Sequence, residues 1–110
     1  MARSAVQVPF YATAFRKDDL AAALEQIGPV SLRYGATGWI VYQSRDDLYK
    51  LTLIVEFENK ADWDAYWYGE EFQSMRAACS GWYQVPLLYA WQNVVGSGSL
   101  ATAPANGITA

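Results

Sequence analysis

The chain contains no histidine, a single cysteine and, from Ala77 to its end, no charged residue. Without histidine, Ser-His-Asp and Cys-His nucleophilic catalysis, His-ligated haem and any metal site built on imidazole are excluded. One cysteine, Cys79, leaves no partner for an intrachain disulfide and no Cys cluster for zinc or iron–sulfur. It fits a reducing compartment, so the expected location is the cytoplasm. Basic residues are also scarce. Eight Lys and Arg stand against eleven Asp and Glu, and the net charge of −3 argues against a nucleic-acid partner. Long apolar runs are missing too. The best, residues 85–91, is interrupted by Pro86 and falls far short of the roughly 20 residues of a membrane span. Residues 1–4 lead straight into a patterned segment, without the apolar centre of a signal peptide. No membrane partner is expected.

What remains is rich in rings. The 110 residues are 53% hydrophobic and include five Trp, eight Tyr and four Phe. That composition predicts a packed globule rather than a disordered chain. The length is that of one domain, which buries only about two-thirds of its unfolded surface. So many aromatics on so small a body point to a pocket or a subunit interface.

Residues 5–15 alternate apolar and polar side chains and predict a strand, with Pro9 at an edge or bulge because it has no N–H to donate. Residues 17–27 predict a helix. Asp18 and Asp19 occupy its first turn, and Leu20, Ala23, Leu24 and Ile27 make one apolar stripe. Gly28-Pro29 should interrupt it, with a further helical turn over 30–34 that closes at Gly35. Residues 38–44 and 49–57 predict a hairpin joined by Arg45-Asp46-Asp47-Leu48. Leu51, Leu53, Val55 and Phe57 share one face of its second strand. Asn59 caps a helix over about 60–68, with Asp62 placed as in a capping box. Gly69 breaks it, and residues 70–79 restart it with the stripe Phe72, Met75 and Cys79. A last strand is expected over 85–95.

The order β-α-β-β-α-β predicts an α+β, ferredoxin-like fold: an antiparallel sheet with two helices on one face. Residues 1–95 form the domain, and residues 96–110 form a Gly-, Ser- and Ala-rich tail, mobile or docked on a partner. The uncovered sheet face invites a second copy of the chain. The uncharged stretch 77–95, with Trp82, Tyr83, Tyr89 and Trp91, is expected to be buried against that copy.

Residues 38–47 (GWIVYQSRDD), residues 53–63 (LIVEFENKADW) and the segment Gly69-Glu70-Glu71-Phe72 resemble the antibiotic-biosynthesis-monooxygenase family of dimeric α/β-barrel proteins. With flanking elements the resemblance covers about residues 5–95. It implies a small homodimer that oxygenates an aromatic, polyketide- or quinol-like substrate without metal, flavin or other cofactor. Some members of the family place an Asn and a Trp one helical turn apart in the pocket, with Tyr and Arg. Asn59 and Trp63 match that pair, and Tyr66 falls where the family often has His. The implied catalytic residues are Asn59, Trp63, Tyr66 and Arg76, with Tyr34, Tyr42 and Phe72 lining the substrate site between helices and sheet.

Such chemistry asks the protein to orient a substrate that gives up a proton, to stabilise its anion and to exclude water. Asn and Arg can hold an oxyanion, a Trp face can hold a flat ring, and Tyr can relay a proton. Each residue also has a structural reading. Asn59 suits a cap, Trp63 and Tyr66 suit a core stripe, and Arg76 suits an ion pair with Glu71 or an Asp. Cys79 is expected to pack as a small apolar residue. Two other functions fit the same residues: a cyclase or isomerase on this fold, and a non-catalytic binding or assembly protein.

Overall fold

A computed structural model describes residues 3–100. The elements in chain order are β1 (Ser4–Tyr11), α1 (Lys17–Val30) with a 3-10 turn over Ser31–Tyr34, β2 (Gly38–Gln43), β3 (Lys50–Phe57), α2 (Lys60–Trp67), α3 (Glu70–Ala78) and β4 (Ala90–Asn93). The four strands form one sheet in the order β2-β3-β1-β4, with every neighbouring pair antiparallel. This is the ferredoxin-like arrangement that the element order implies.

The register assigns the two faces. Val6 pairs with Val55, Val8 with Leu53 and Phe10 with Leu51, and these residues are buried. Leu20, Leu24 and Ile27 of α1, with Trp63, Tyr66 and Phe72 from α2 and α3, complete that core. The alternate residues face away from it. Gln7 pairs with Ile54, Pro9 with Thr52 and Tyr11 with Lys50, and Ile40 and Tyr42 of β2 extend the same face. Tyr11, Ile40 and Tyr42 are exposed there.

Several boundaries differ from the sequence reading. β1 ends at Tyr11, not at residue 15. Ala12 makes only an isolated bridge to Tyr83, and the chain then turns, with Arg16 N–H donating to Thr13 O at 3.1 Å and Phe15 at φ 66°. Pro9 lies in a central strand. It is tolerated because the ladder with β4 has already ended at Gln7. Gly28-Pro29 does not stop α1, which runs on to Val30. Pro29 falls in the last turn at an exposed position, where little helix remains to disturb. Ser31 Oγ donates to Gly28 O at 2.6 Å, and the turn closes at Gly35 with a left-handed φ of 102°. β4 is much shorter than residues 85–95, since only Ala90–Asn93 pair with β1.

The hairpin turn and the α2 cap form as their side chains dictate. Ser44 Oγ accepts from the N–H groups of Asp46 and Asp47, and Asp47 Oδ1 accepts from Tyr49 N–H. Asn59 Oδ1 accepts from Asp62 N–H at 3.1 Å. The tail expected from residue 96 lies outside the described residues from 101 onward. No helix among the described residues is long and apolar enough to cross a membrane.

Candidate functional site

The densest aromatic packing lies where α2 meets β3, α3 and the segment before β4. Trp63, Tyr66 and Trp67 follow one another at helical spacing, so α2 turns all three inward. Trp63 stacks on Trp67 at 5.2 Å between ring centroids and meets Tyr89 edge-on at 4.9 Å. Tyr66 lies 5.9 Å from Trp63 and 5.0 Å from Phe72. Phe57 closes the sheet side at 6.1 Å from Trp63. These spacings fall in the range of favourable edge and offset contacts.

Polar groups are few and specific. Tyr66 donates its phenol to Ile27 O at 2.7 Å, tying α2 to α1. Burial pushes the pKa of that phenol well above its usual value. Arg76 lays its guanidinium 4.2 Å from the Trp67 ring centroid and 4.8 Å from Phe72, and donates to Trp67 O at 2.8 Å. Burial lowers its pKa. Trp63 Nε1 and Arg76 Nη1 are buried donors with no acceptor among the described residues. Tyr34 lies 5.9 Å from Tyr66 and donates to Glu71 Oε1 at 2.6 Å. That bond raises the pKa of the phenol and lowers that of the carboxyl, which Arg33 also engages at 3.1 Å.

The structure therefore brings Trp63, Tyr66, Phe72, Arg76 and Tyr34 into one connected cluster. Asn59 stands at the start of α2, exposed, with its side-chain oxygen engaged by the cap. Tyr42 is a correction. It does not lie between helices and sheet but on the uncovered sheet face, because the β2 register pairs it with Thr52. There it lines a hollow of about 340 Å³ with Ile40, Ile54 and Glu56. The expected pairing of Arg76 with Glu71 or an Asp is also corrected. Arg76 turns to the Trp67 ring and carbonyl, and Glu71 goes to Arg33 and Tyr34. Cys79 packs inside, and burial raises its thiol pKa.

Tyr89 and Glu71 also join the cluster, neither of them among the site residues expected from the sequence. Nothing in a single chain signals a contact between Tyr34 and Glu71 across 37 positions. Among the described residues no three His, Cys, Asp or Glu side chains could together hold a metal ion. A groove of about 610 Å³ runs between α1 and α3 over Ile27, Met75, Cys79 and Trp82. Neither it nor the hollow beside Tyr42 is lined by Asn59, Trp63, Tyr66 or Arg76.

No family model matches the sequence, and no curated protein matches it. Solved structures do. A Nitrosomonas europaea protein described as a proposed antibiotic biosynthesis monooxygenase superposes with a TM-score of 0.77 at 16% identity, covering 84% of this chain and 90% of that one. A Bordetella bronchiseptica protein with the same proposed role gives 0.75 at 18% identity, covering 86% and 99%. The Rv0793 protein of Mycobacterium tuberculosis gives 0.75 at 17% identity, covering 88% and 99%. At such identities the likeness establishes a shared fold, and that fold is the one the family resemblance implies.

Proposed function

We propose that the chain is an oxygenase of the antibiotic-biosynthesis-monooxygenase type. It acts as a cytoplasmic homodimer on an aromatic, polyketide- or quinol-like substrate, without a cofactor. The observation that carries this reading is the pair of buried, unengaged donors, Trp63 Nε1 and Arg76 Nη1, on either branch of one aromatic cluster. The fold shared with proteins proposed for that role supports it.

In this reading Trp63 and Phe72 hold the flat substrate, and Arg76 faces the oxygen that becomes anionic when the substrate loses a proton. Tyr34, with Glu71 beside its phenol, is the group equipped to pass that proton on. Asn59 fixes the start of α2 and so the position of Trp63 four residues later. The electron-rich anion reduces dioxygen. One oxygen atom enters the ring, and the other leaves as water as the quinone forms. The uncovered sheet face, with Tyr11, Ile40 and Tyr42 exposed, seats the second copy.

A second reading has its own support. Trp63 is fully buried and ringed by aromatic neighbours, as a purely structural residue would be. In that case the chain binds or assembles and catalyses nothing. Incubating metal-free protein with an anthrone or a hydroquinone separates the two. Quinone formation with oxygen uptake, lost in the double variant Asn59→Ala with Trp63→Phe, supports the oxygenase. No rate above background across a substrate panel removes it. Turnover that continues without oxygen points instead to a cyclase or isomerase.

A further inference from the structure

Four oxidisable rings run in unbroken contact through the molecule: Tyr89 to Trp63 at 4.9 Å, Trp63 to Tyr66 at 5.9 Å, and Tyr66 to Tyr34 at 5.9 Å. The two outer rings are partly exposed and the two inner ones buried. Core packing accounts for the rings but does not distinguish among them. What distinguishes them is where each could lose a proton if it lost an electron.

Trp63 Nε1 has no acceptor among the described residues. Tyr66 is bonded to the carbonyl of Ile27, an amide oxygen too weakly basic to take its proton. Trp67, stacked on Trp63, lies under the positive guanidinium of Arg76 at 4.2 Å, which disfavours a second positive charge on that ring. Among the described residues, Tyr34 is the one tyrosine that donates to a carboxylate, Glu71, and it does so over 2.6 Å. Arg33 holds that carboxylate in place.

We propose that these rings form a relay, in which a one-electron oxidising equivalent arriving near Tyr89 or Trp63 comes to rest on Tyr34 while Glu71 takes the phenolic proton. An oxidant of the peroxyl- or oxyl-radical class takes one electron from Trp63, becomes a peroxide or alkoxide anion, and leaves the indole radical cation. Tyr34 refills it through Tyr66, and its proton passes to Glu71 Oε1. The products are closed-shell Trp63, a neutral Tyr34 phenoxyl radical and a protonated Glu71. A thiolate-class reductant at the surface returns one electron and becomes a thiyl radical, and Glu71 returns the proton. A relay of this kind goes beyond the oxygenase reading and does not require it.

A ruthenium polypyridyl photo-oxidant attached at Leu88→Cys tests it. Leu88 is exposed and adjoins Tyr89, whereas Cys79 is buried and escapes labelling. Flash-quench oxidation should give a tyrosyl electron paramagnetic resonance signal. That signal should vanish in Tyr34→Phe and persist in Tyr68→Phe, an exposed tyrosine outside the ring chain. Glu71→Gln should replace it with a short-lived tryptophan radical cation, and this variant carries the test if Tyr34→Phe does not fold. A tyrosyl yield unchanged in Tyr34→Phe or in Glu71→Gln overturns the relay. So does a signal resting on Tyr89. Because the photo-oxidant stands in for any substrate, failure of the anthrone assay leaves this outcome independent.

Discussion

Replacing the glycine at position 28 with alanine should destabilise this protein, against the usual sign of that change inside a helix. In an exposed helix interior, Gly→Ala gains roughly 0.8–1.0 kcal/mol through lower unfolded-chain entropy and better propensity. Gly28 is helical and buried, and a Cβ there would run into the Trp39 indole, meeting Cε3, Cζ3 at 2.7 Å and Cδ2 at 2.8 Å. Ordinary carbon contacts lie at about 3.5–4.0 Å, so the ring would have to retreat by close to 1 Å. Trp39 is fixed in β2 opposite Val55, and its ring is rigid. Overpacking of this kind costs up to about 3 kcal/mol. Less the propensity gain, about 2 kcal/mol of destabilisation remains, a fall of about 10 °C in Tm for a domain of this size. Far-UV circular dichroism melts measure it directly. In a Trp39→Leu background the clash is gone and Gly28→Ala should become neutral or stabilising, so the two changes are strongly coupled. A higher Tm for Gly28→Ala in the parent chain would refute the packing argument and mean that α1 and β2 do not meet as described.

Two further variants probe the cluster. Asn59→Ala should lower stability by about 1 kcal/mol through loss of the α2 cap, and Asn59→Ser should restore most of it. If substrate turnover returns with Asn59→Ser as fully as stability does, Asn59 acts through the cap alone. Tyr66→Phe leaves the Ile27 carbonyl without its partner and should cost about 1–3 kcal/mol in urea unfolding. It should also change the alkaline limb of stability. Burial raises the folded-state pKa of Tyr66 above its ordinary value of 10.0, so the unfolded chain loses that proton first. The contribution is fully present below pH 10.0 and is lost as pH rises beyond it, by up to about 1.4 kcal/mol per pH unit. Urea midpoints between pH 8 and 11 should fall less steeply in Tyr66→Phe, and an unchanged slope would show that the phenol is not buried in solution.

The fold was legible because its signals are periodic. Alternation in β3 and the stripe in α1 are each a single-chain property, and both set the core face correctly. The misread boundaries share a physical cause, since each depends on what lies across from the chain. Gly28-Pro29 reads as a stop until Trp39 is seen resting on Gly28, a contact that makes the glycine a packing requirement rather than a hinge. Residues 85–89 read as strand from their apolar content, yet they fall between the Gln7–Ala90 pair and the Ala12–Tyr83 bridge and make no ladder of their own with β1. Alternation tells a strand which face to bury but not whether a neighbour exists.

The same division runs through the candidate site. Trp63, Tyr66 and Trp67 could be placed on one face of α2 from spacing alone, and the structure puts them there. Their partners come from β3, α1, the 3-10 turn, α3 and the segment before β4, and this decides what the cluster can do. The missing charges after Arg76 then take on a local meaning. Tyr83 and Tyr89, from the uncharged stretch, pack against Phe10, Trp63 and Trp67, and the Arg76 guanidinium lies on the Trp67 ring of that packing. It is held by an aromatic face and a carbonyl instead of by a carboxylate. A guanidinium without a counter-ion beside stacked indoles keeps its charge available to a developing anion. The same charge disfavours a cation on the ring beneath it. Oxyanion stabilisation in the proposed reaction and the exclusion of Trp67 from the proposed relay thus share one feature, the absence among the described residues of an acidic partner for Arg76.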